Sequence, residues 1–156
     1  MKKTLLLDKI QNRFKKTGLK FDTTSNIIHF HMDIGDVIGK VALFIQVEDK
    51  TILSYAVLGN KAPDEQIHKI SEYLHRANYG LPYGNFEIDF NDGEIRYKLV
   101  TDCQDSANIS NTYIDRTVLL PCQAIEKYGK GILQLMIGVG EPKDLINEAE
   151  QNDKQP

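Results

Sequence analysis

Two histidines and an aspartate alternate along residues 29–33, in the order His-Phe-His-Met-Asp. Side chains of a β-strand point to opposite faces with a period of two, so His29, His31 and Asp33 would share one face of a strand. Neutral imidazoles and carboxylates are ligands that suit zinc. The spacing therefore indicates either a metal site or a solvated, partner-facing strand surface.

The H-x-H-x-D spacing resembles part of the motif of metallo-β-lactamase-type hydrolases. In that motif another histidine directly follows the aspartate, and Ile34 stands at that position here. Further downstream histidines are needed, and only His68 and His75 remain, in a stretch that is predicted to be helical. We therefore predict no metal and no cofactor. A metal-binding protein or hydrolase using His29, His31 and Asp33 is the alternative to the function favoured below.

Other kinds of catalysis lack their usual motifs in this sequence. No G-x-S-x-G segment is present, and neither cysteine belongs to a short nucleophile signature. Cys103 lies close to Asp102, which would not lower a thiol pKa, and Cys122 falls in a mostly apolar stretch. The glycines of "GVGEP" (138–142) match neither a P-loop nor a three-glycine dinucleotide fingerprint. We predict that the protein is not an enzyme, with no catalytic residues and no small-molecule substrate.

The composition is typical of a globular protein. The 156 residues are 41% hydrophobic and 26% charged, with a formal net charge of −3. This length predicts one domain over residues 1–151, followed by a disordered tail at 152–156. The net charge is unlike that of a polyanion binder, so no nucleic-acid partner is predicted.

The N-terminal sequence "MKKTLLLDKI" does not predict a signal peptide. Asp8 and Lys9 end the apolar run well short of the roughly 7–15 residues that such a peptide needs. No segment approaches the about 20 apolar residues of a membrane-spanning helix. The two cysteines are interpreted as reduced thiols, although nothing in the sequence excludes a bond between them. Together these features predict a cytoplasmic protein with no membrane partner.

Residues 4–17 are predicted to form an amphipathic helix that ends at Gly18. Its apolar stripe consists of Leu7, Ile10 and Phe14. Residues 1–20 carry seven lysines and arginines against Asp8 alone. Lys9, Arg13 and Lys16 form a basic stripe on another side of this helix. This stripe could contact an acidic partner or anionic lipid, or it could be the solvated face of a helix that packs on the core.

The remaining pattern predicts an α+β fold, an antiparallel sheet of about five strands with helices packed on it. Strands are expected at 25–34, 40–48 and 51–59, and a hairpin within 85–99. Helices are expected from Pro63 to about Gly80, at 111–136 and at 141–151. Pro121 lies inside the long helix, so a kink or a break is predicted near Leu120. The order of elements is α-β-β-β-α-β-β-α.

The hairpin has a predicted register. Asp92 and Gly93 stand between two alternating runs, which is typical of a two-residue type I′ turn with positive φ at both positions. That turn would pair residues as Phe90–Ile95, Ile88–Tyr97, Phe86–Leu99, Asp89–Arg96 and Glu87–Lys98. Apolar residues then oppose apolar ones and opposite charges oppose each other. We interpret the charged face as a solvated outer surface.

A candidate binding patch lies in "NYGLPYG" (78–84), a segment rich in glycine and aromatic residues. Tyr79, Leu81, Pro82 and Tyr83 cluster in what should be an exposed loop. Amphipathic aromatic side chains are enriched in protein interfaces. The alternative is that these side chains close the core over the edge of the sheet.

Three segments resemble the YbjN-type family of proposed bacterial sensory transduction regulators, which is similar in fold to type III secretion chaperones. The resemblance rests on "ANYGLPYGNFEIDFNDGEIRYKL" (77–99), "IDRTVLLPCQAIEKYGKGILQLMIG" (114–138) and "EPKDLINEAE" (141–150). It covers nearly the whole chain as a pattern of elements and carries no catalytic residues. It implies helices packed on an antiparallel sheet and a non-enzymatic, protein-interaction role, often with dimerisation.

We therefore predict a protein-binding domain, chaperone-like or regulatory, whose partner is another protein or a second copy of its own chain. The patch formed by Tyr79, Leu81, Pro82 and Tyr83 is the predicted binding surface. Capture of an extended segment along a sheet edge is the predicted mechanism.

Overall fold

A computed structural model describes residues 5–104 and 108–151, so the predicted tail at 152–156 lies outside the described residues. The helices are α1 (Leu5–Lys16), α2 (Gly35–Ile38), α3 (Ile67–Gly80), α4 (Asn111–Met136) and α5 (Pro142–Gln151). The strands are β1 (Asp22–Thr24), β2 (Ile27–Asp33), β3 (Lys40–Val47), β4 (Thr51–Val57), β5 (Asn85–Ile88) and β6 (Ile95–Asp102). A 3₁₀ turn, Asp64–Gln66, leads into α3.

The strands form one antiparallel sheet in the order β1-β2-β3-β4-β6-β5. Burial alternates along each long strand, as the alternating sequence requires. On β3, for example, Val41, Leu43 and Ile45 are fully buried, while Phe44 between them is exposed. The α+β fold class is confirmed, with six strands among the described residues where about five were predicted. The additional strand is β1, whose three residues are all exposed and carry no apolar signal.

The helices cover the buried face of the sheet. The long helix α4 crosses β4 and β6, and both α3 and α5 pack against α4. The core contains Ile10 from α1, Ile70 from α3, Ile132 from α4 and Ile45 from the sheet. In the part of the chain that the structure describes, no helix is long and apolar enough to cross a membrane.

Gly18 ends the first helix as predicted. Its φ of +77° is a left-handed conformation that glycine adopts at little cost. The Leu19 N–H donates to the Phe14 carbonyl at 3.0 Å, and the Gly18 N–H donates to the Lys15 carbonyl at 3.1 Å. This pair of bonds is the Schellman arrangement, and it turns Leu19 back toward Phe14.

The predicted hairpin register is wrong by two residues. Phe86 pairs with Tyr97 and Ile88 with Ile95, so the connection is longer than two residues. A type I′ turn needs two residues with positive φ, and of the central pair only Gly93 has it.

The longer connection is explained by a contact distant in sequence. The Ala62 N–H donates to the Gly93 carbonyl at 2.8 Å, and a Cβ on Gly93 would lie 2.3 Å from the Ala62 carbonyl oxygen. Because the shift is even, each side chain keeps its predicted face. Of the predicted charge pairs, Glu87 does contact Lys98, and it also pairs with Arg96 at 2.8 Å, whereas Asp89 binds the N–H of Asn91.

Of the kink or break predicted near Leu120, the break does not occur, because α4 runs continuously from Asn111 to Met136. Proline removes one backbone hydrogen bond. Val118 and Ile125, on either side of the proline, are buried in the core. Their packing holds both halves of the helix in place, so the helix continues past Pro121. At its start the Ser110 Oγ accepts the N–H of Tyr113 at 3.3 Å, so Ser110 is the N-cap of α4.

The outer margin of β5 is partly occupied by a side chain. The Phe86 N–H donates to Asn78 Oδ1 at 2.7 Å, and Asn78 Nδ2 donates to the Phe86 carbonyl at 3.0 Å. Asn78 thus imitates a neighbouring strand at one position, and it ties the last turn of α3 to the sheet.

Candidate functional site

Tyr79 is the most exposed of the large apolar and aromatic side chains in the described residues, at 97%. The buried stripe of α3 consists of Ile67, Ile70, Tyr73, Leu74 and Ala77. Tyr79 follows Ala77 by two positions and therefore falls on the opposite side of the helix. A single exposed aromatic side chain is common on protein surfaces, so its significance depends on the residues around it.

A groove of about 790 Å³ lies between α3 and α5, with Tyr79 in its wall. We call it the α3/α5 groove, and it is lined by Ser71, Glu72, His75, Arg76, Tyr79, Gly80, Ile146 and Glu150. Ile146 is buried and supplies the apolar contribution of α5. The lining therefore combines Tyr79 and Ile146 with polar and charged side chains, and protein interfaces are mixed in the same way.

The rim of the groove carries charges of both signs. Arg76 pairs with Glu72 one turn earlier, at 2.7 Å. Across the groove, Glu150 Oε1 accepts the hydroxyl of Tyr128 at 3.3 Å. Gly80 permits this close approach, since a Cβ there would lie 2.9 Å from Glu150 Oε1.

The other three residues of the predicted patch do not line the α3/α5 groove. Leu81 is half-buried against the core, and Pro82 is exposed. The Tyr83 ring lies under the guanidinium of Arg116 on α4, 4.8 Å from its centroid. The structure therefore assigns Tyr79 to the α3/α5 groove and Tyr83 to the α4 side of the molecule.

Tyr83 is also fixed through its backbone. Its carbonyl accepts the hydroxyl of Tyr97, and burial raises the pKa of Tyr97 to about 12. The hydroxyl is thus protonated and able to donate throughout the physiological range. Gly84 has a φ of +61°, and a Cβ there would lie 2.3 Å from that hydroxyl oxygen.

His29, His31 and Asp33 do share the exposed face of β2, as predicted. Their neighbours on β3 are Phe44, Ala42 and Lys40. Residues two apart on a strand lie about 6.6 Å apart, so the three side chains form a row and do not converge. Within residues 5–104 and 108–151, no three His, Cys, Asp or Glu side chains are placed to hold one metal ion. Asp33 instead accepts the N–H of Gly35 at 3.1 Å.

The same face of the sheet is left open by the helices. Arg96 lies 4.7 Å over the ring of Tyr55, and its Nε donates to Glu87 at 2.8 Å. Partial burial would raise the pKa of Glu87, but the hydrogen bonds from Lys98 and Arg96 hold it below its ordinary value. These contacts connect charged and aromatic side chains across the face of the sheet that the helices leave open.

Both cysteines are free thiols, as predicted, and neither is activated. Cys103 is buried, although its polar sequence neighbours suggest an exposed loop. It directly follows β6, and its N–H donates to the carbonyl of Lys50 at 2.7 Å. Burial and, to a lesser degree, Asp102 raise the pKa of Cys103. Burial raises the pKa of Cys122 to about 11.

We expect Cys122 to be alkylated very slowly at pH 8. Only the thiolate reacts, and a pKa near 11 leaves about one thiol in a thousand ionised, so the rate should be at least about a hundredfold below that of glutathione. In a Cys103→Ser variant, the iodoacetamide rate should rise about tenfold per pH unit until pH 11. Unfolding in urea should abolish the difference, and a native rate equal to that of glutathione at pH 8 would contradict the burial of this thiol.

Sequence reasoning identified Tyr79 but missed the rest of the groove. Ile146 and Glu150 lie some 70 residues further along the chain, and nothing local indicates that α5 packs beside α3. The available signal was the short apolar stripe of α5, Leu145 and Ile146, which needs a surface to cover it.

Comparison with known proteins supports the fold. No protein-family model matches the chain, and no curated protein sequence matches it. Among solved structures, the chain is similar to the crystal structure of YbjN from E. coli, a proposed transcription regulator. The two superpose with a TM-score of 0.60 over 97% of each chain, at 13% sequence identity. The resemblance predicted from the sequence is therefore confirmed at the level of the fold.

Proposed function

We propose that this chain, whose fold is that of YbjN, is a protein-binding domain with a regulatory or chaperone-like role and that its partner docks in the α3/α5 groove. The observation that carries the proposal is the 97% exposure of Tyr79 in the wall of that groove. The domain acts by binding and not by catalysis, and it works in the cytoplasm. The partner is another protein or a second copy of this chain.

An exposed tyrosine that shares a groove with Ile146 is a suitable anchor for a partner. Burying an aromatic side chain removes a large apolar area from water, and its hydroxyl keeps a polar handle at the rim. Tyrosine has few rotatable bonds, so little entropy is lost on binding. In protein interfaces such residues dominate the binding energy when a polar rim excludes water around them, and Arg76, Glu72 and Glu150 supply such a rim.

The groove suits a helix or a turn of the partner better than an extended strand. Sheet-edge capture needs unpaired backbone groups along an exposed strand. On one margin of the sheet, Asn78 already binds both the N–H and the carbonyl of Phe86. On the other margin β1 presents three residues. A helix lying between two helices needs no such edge, so we replace the predicted mechanism with helix-in-groove docking.

The likeness to YbjN supports a regulatory role without identifying the partner. That protein is described as a proposed transcription regulator. At 13% identity the likeness concerns the backbone alone.

Site-specific photo-crosslinking in cells of the native organism tests this proposal. A benzophenone side chain at position 79 should give a discrete crosslinked species that mass spectrometry identifies as one partner. The same side chain at Phe90, which is 56% exposed on the hairpin loop, is the matched control and should give no such species. Equal crosslinking at both positions would show nonspecific contact, and a product of two identical chains would identify the groove as a self-interface.

We expect Tyr79→Ala to weaken binding of the identified partner about tenfold to thirtyfold, in line with the loss of an aromatic anchor. The midpoint of thermal unfolding should stay unchanged, because this side chain packs against almost nothing in the free protein. Tyr113→Ala, at a 55% exposed position on α4, should leave the affinity unchanged. An unaltered dissociation constant for Tyr79→Ala would reject the groove as the binding site.

A further inference from the structure

One end of the α3/α5 groove carries a negative charge that the described residues do not balance. Glu150 is half-buried there, and in the described chain only its Oε1 has a hydrogen-bond donor, the hydroxyl of Tyr128 at 3.3 Å. No described basic side chain forms an ion pair with Glu150. The other two charges that line the groove, Glu72 and Arg76, pair with each other at 2.7 Å. Lys127 lines a separate pocket between α4 and α5.

The ends of two helices add to this charge. A Cβ on Gly80 would lie 2.9 Å from Glu150 Oε1, so the last turns of α3 and α5 meet at this point. The carboxyl end of a helix carries roughly half a negative charge, which a basic residue in the last turn can offset. The last turn of α1 has three such residues, Arg13, Lys15 and Lys16, whereas the last turns of α3 and α5 have none. This end of the groove is therefore electronegative.

Tyr79 adds an aromatic surface to the same groove. The face of a tyrosine ring attracts a lysine or an arginine, and Arg116 makes this contact elsewhere in the molecule, 4.8 Å from the ring centroid of Tyr83. A long basic side chain also has an apolar stem, which suits contact with Ile146. A carboxylate, an exposed ring and an aliphatic side chain in one groove thus match the parts of a lysine or an arginine.

We propose that the partner segment in the α3/α5 groove is a basic amphipathic helix that places a lysine or an arginine against Glu150 and Tyr79. This inference rests on the proposed docking of a partner helix in the groove and adds the chemistry of that helix. Its apolar side meets Ile146, and its basic flank meets the ends of α3 and α5. The formal net charge of −3 also attracts a basic partner at longer range.

Two synthetic peptides test this chemistry on the full chain. Both are amphipathic helices of about 18 residues with leucines at i, i+3, i+4 and i+7. One carries lysines beside the leucine stripe, and the other has glutamine at the same positions. In protein labelled with [¹³C-methyl]isoleucine, the lysine peptide should shift the Ile146 signal saturably and leave Ile27, on the open face of the sheet, unchanged. It should bind about tenfold more tightly than the glutamine peptide.

Two results of this titration would contradict the inference. Equal affinity of the two peptides would show that the groove does not select a basic helix. No shift of Ile146 with either peptide at millimolar concentration would show that the groove does not accept a helix of this kind.

Variants of α5 separate a specific contact from general electrostatic attraction. Glu150→Gln keeps an acceptor for Tyr128 and should weaken the lysine peptide about fivefold to tenfold, while the glutamine peptide should bind as before. Glu148→Gln is the matched control, because it removes the same charge from an exposed position of the same helix that lines the α4/α5 pocket. It should change the affinity less than about twofold. Equal effects of the two substitutions would overturn the inference.

The partner captured by crosslinking at position 79 gives an independent readout. A captured segment with a lysine or an arginine in its helix supports the inference. A captured segment without either residue would refute the basic helix and leave the docking site intact. An unaltered affinity of the Tyr79→Ala protein would instead reject the docking site itself.

Discussion

Replacing Gly131 with alanine is expected to destabilise the protein by about 3 kcal/mol. A Cβ at this position in α4 would lie 2.3 Å from the Tyr73 hydroxyl oxygen and 2.6 Å from its Cζ. Tyr73 is fully buried, and its hydroxyl donates to the Tyr128 carbonyl at 3.0 Å, so the ring cannot move away without breaking that bond. Overpacking in a rigid core costs about 1–3 kcal/mol and occasionally more.

The sign of this effect is informative because helix propensity predicts the opposite. Alanine in the interior of an exposed helix is more favourable than glycine by about 1 kcal/mol. Urea unfolding of the Gly131→Ala protein measures which contribution is larger. Gly59→Ala is the matched control, since a Cβ there would find its nearest atom 3.9 Å away, and we expect little change. An unchanged or increased stability for Gly131→Ala would mean that α4 and α3 do not approach as closely as described.

Replacing Asn78 with alanine is expected to lower the free energy of unfolding by about 2 kcal/mol. The change removes two hydrogen bonds to Phe86, each of which contributes about 1 kcal/mol net. Phe86 is buried, so its N–H and carbonyl would lose partners in a place that water reaches poorly. The loss also frees the end of α3 from the sheet, which should increase amide exchange at Phe86.

Two further variants test this assignment. Asn78→Asp keeps the acceptor for the Phe86 N–H and loses the donor to its carbonyl, so its destabilisation at neutral pH should be intermediate. Asn12→Ala, at an exposed position of α1, should change the free energy of unfolding by less than about 0.5 kcal/mol. If Asn78→Ala behaved like Asn12→Ala, the side-chain pairing with β5 would contribute nothing to stability.

The sequence predicted those features that depend on local periodicity. Alternation along residues 27–33 and 40–47 predicted both the strands and their buried faces. Gly18 predicted the end of α1 because only a left-handed residue closes that turn. Tyr79 was predicted to be exposed as part of a loop, and that assignment is wrong, because the residue lies in the last turn of α3. It is exposed because it falls off the buried stripe of that helix.

Features that depend on distant contacts were missed or wrong. The local signal for a two-residue turn at Asp92-Gly93 is outweighed by the contact with Ala62, which no pattern within 85–99 contains. The α3/α5 groove was missed for the same reason, because Ile146 in its second wall is distant in sequence from α3. Pro121 predicted a kink or a break near Leu120 from its own chemistry, and the buried residues on both sides of it explain why the helix does not break.

The margins of the sheet also bear on how the protein behaves at high concentration. An unpaired strand edge is a template on which further chains can add, and such growth leads to aggregates and fibrils. Here the side chain of Asn78 occupies the backbone groups of Phe86 on one margin, and the other ends in a strand too short to template a stable pairing. We therefore expect Asn78 to limit the addition of further strands at this margin, and its loss should show as fibril formation under conditions where the native chain stays dispersed.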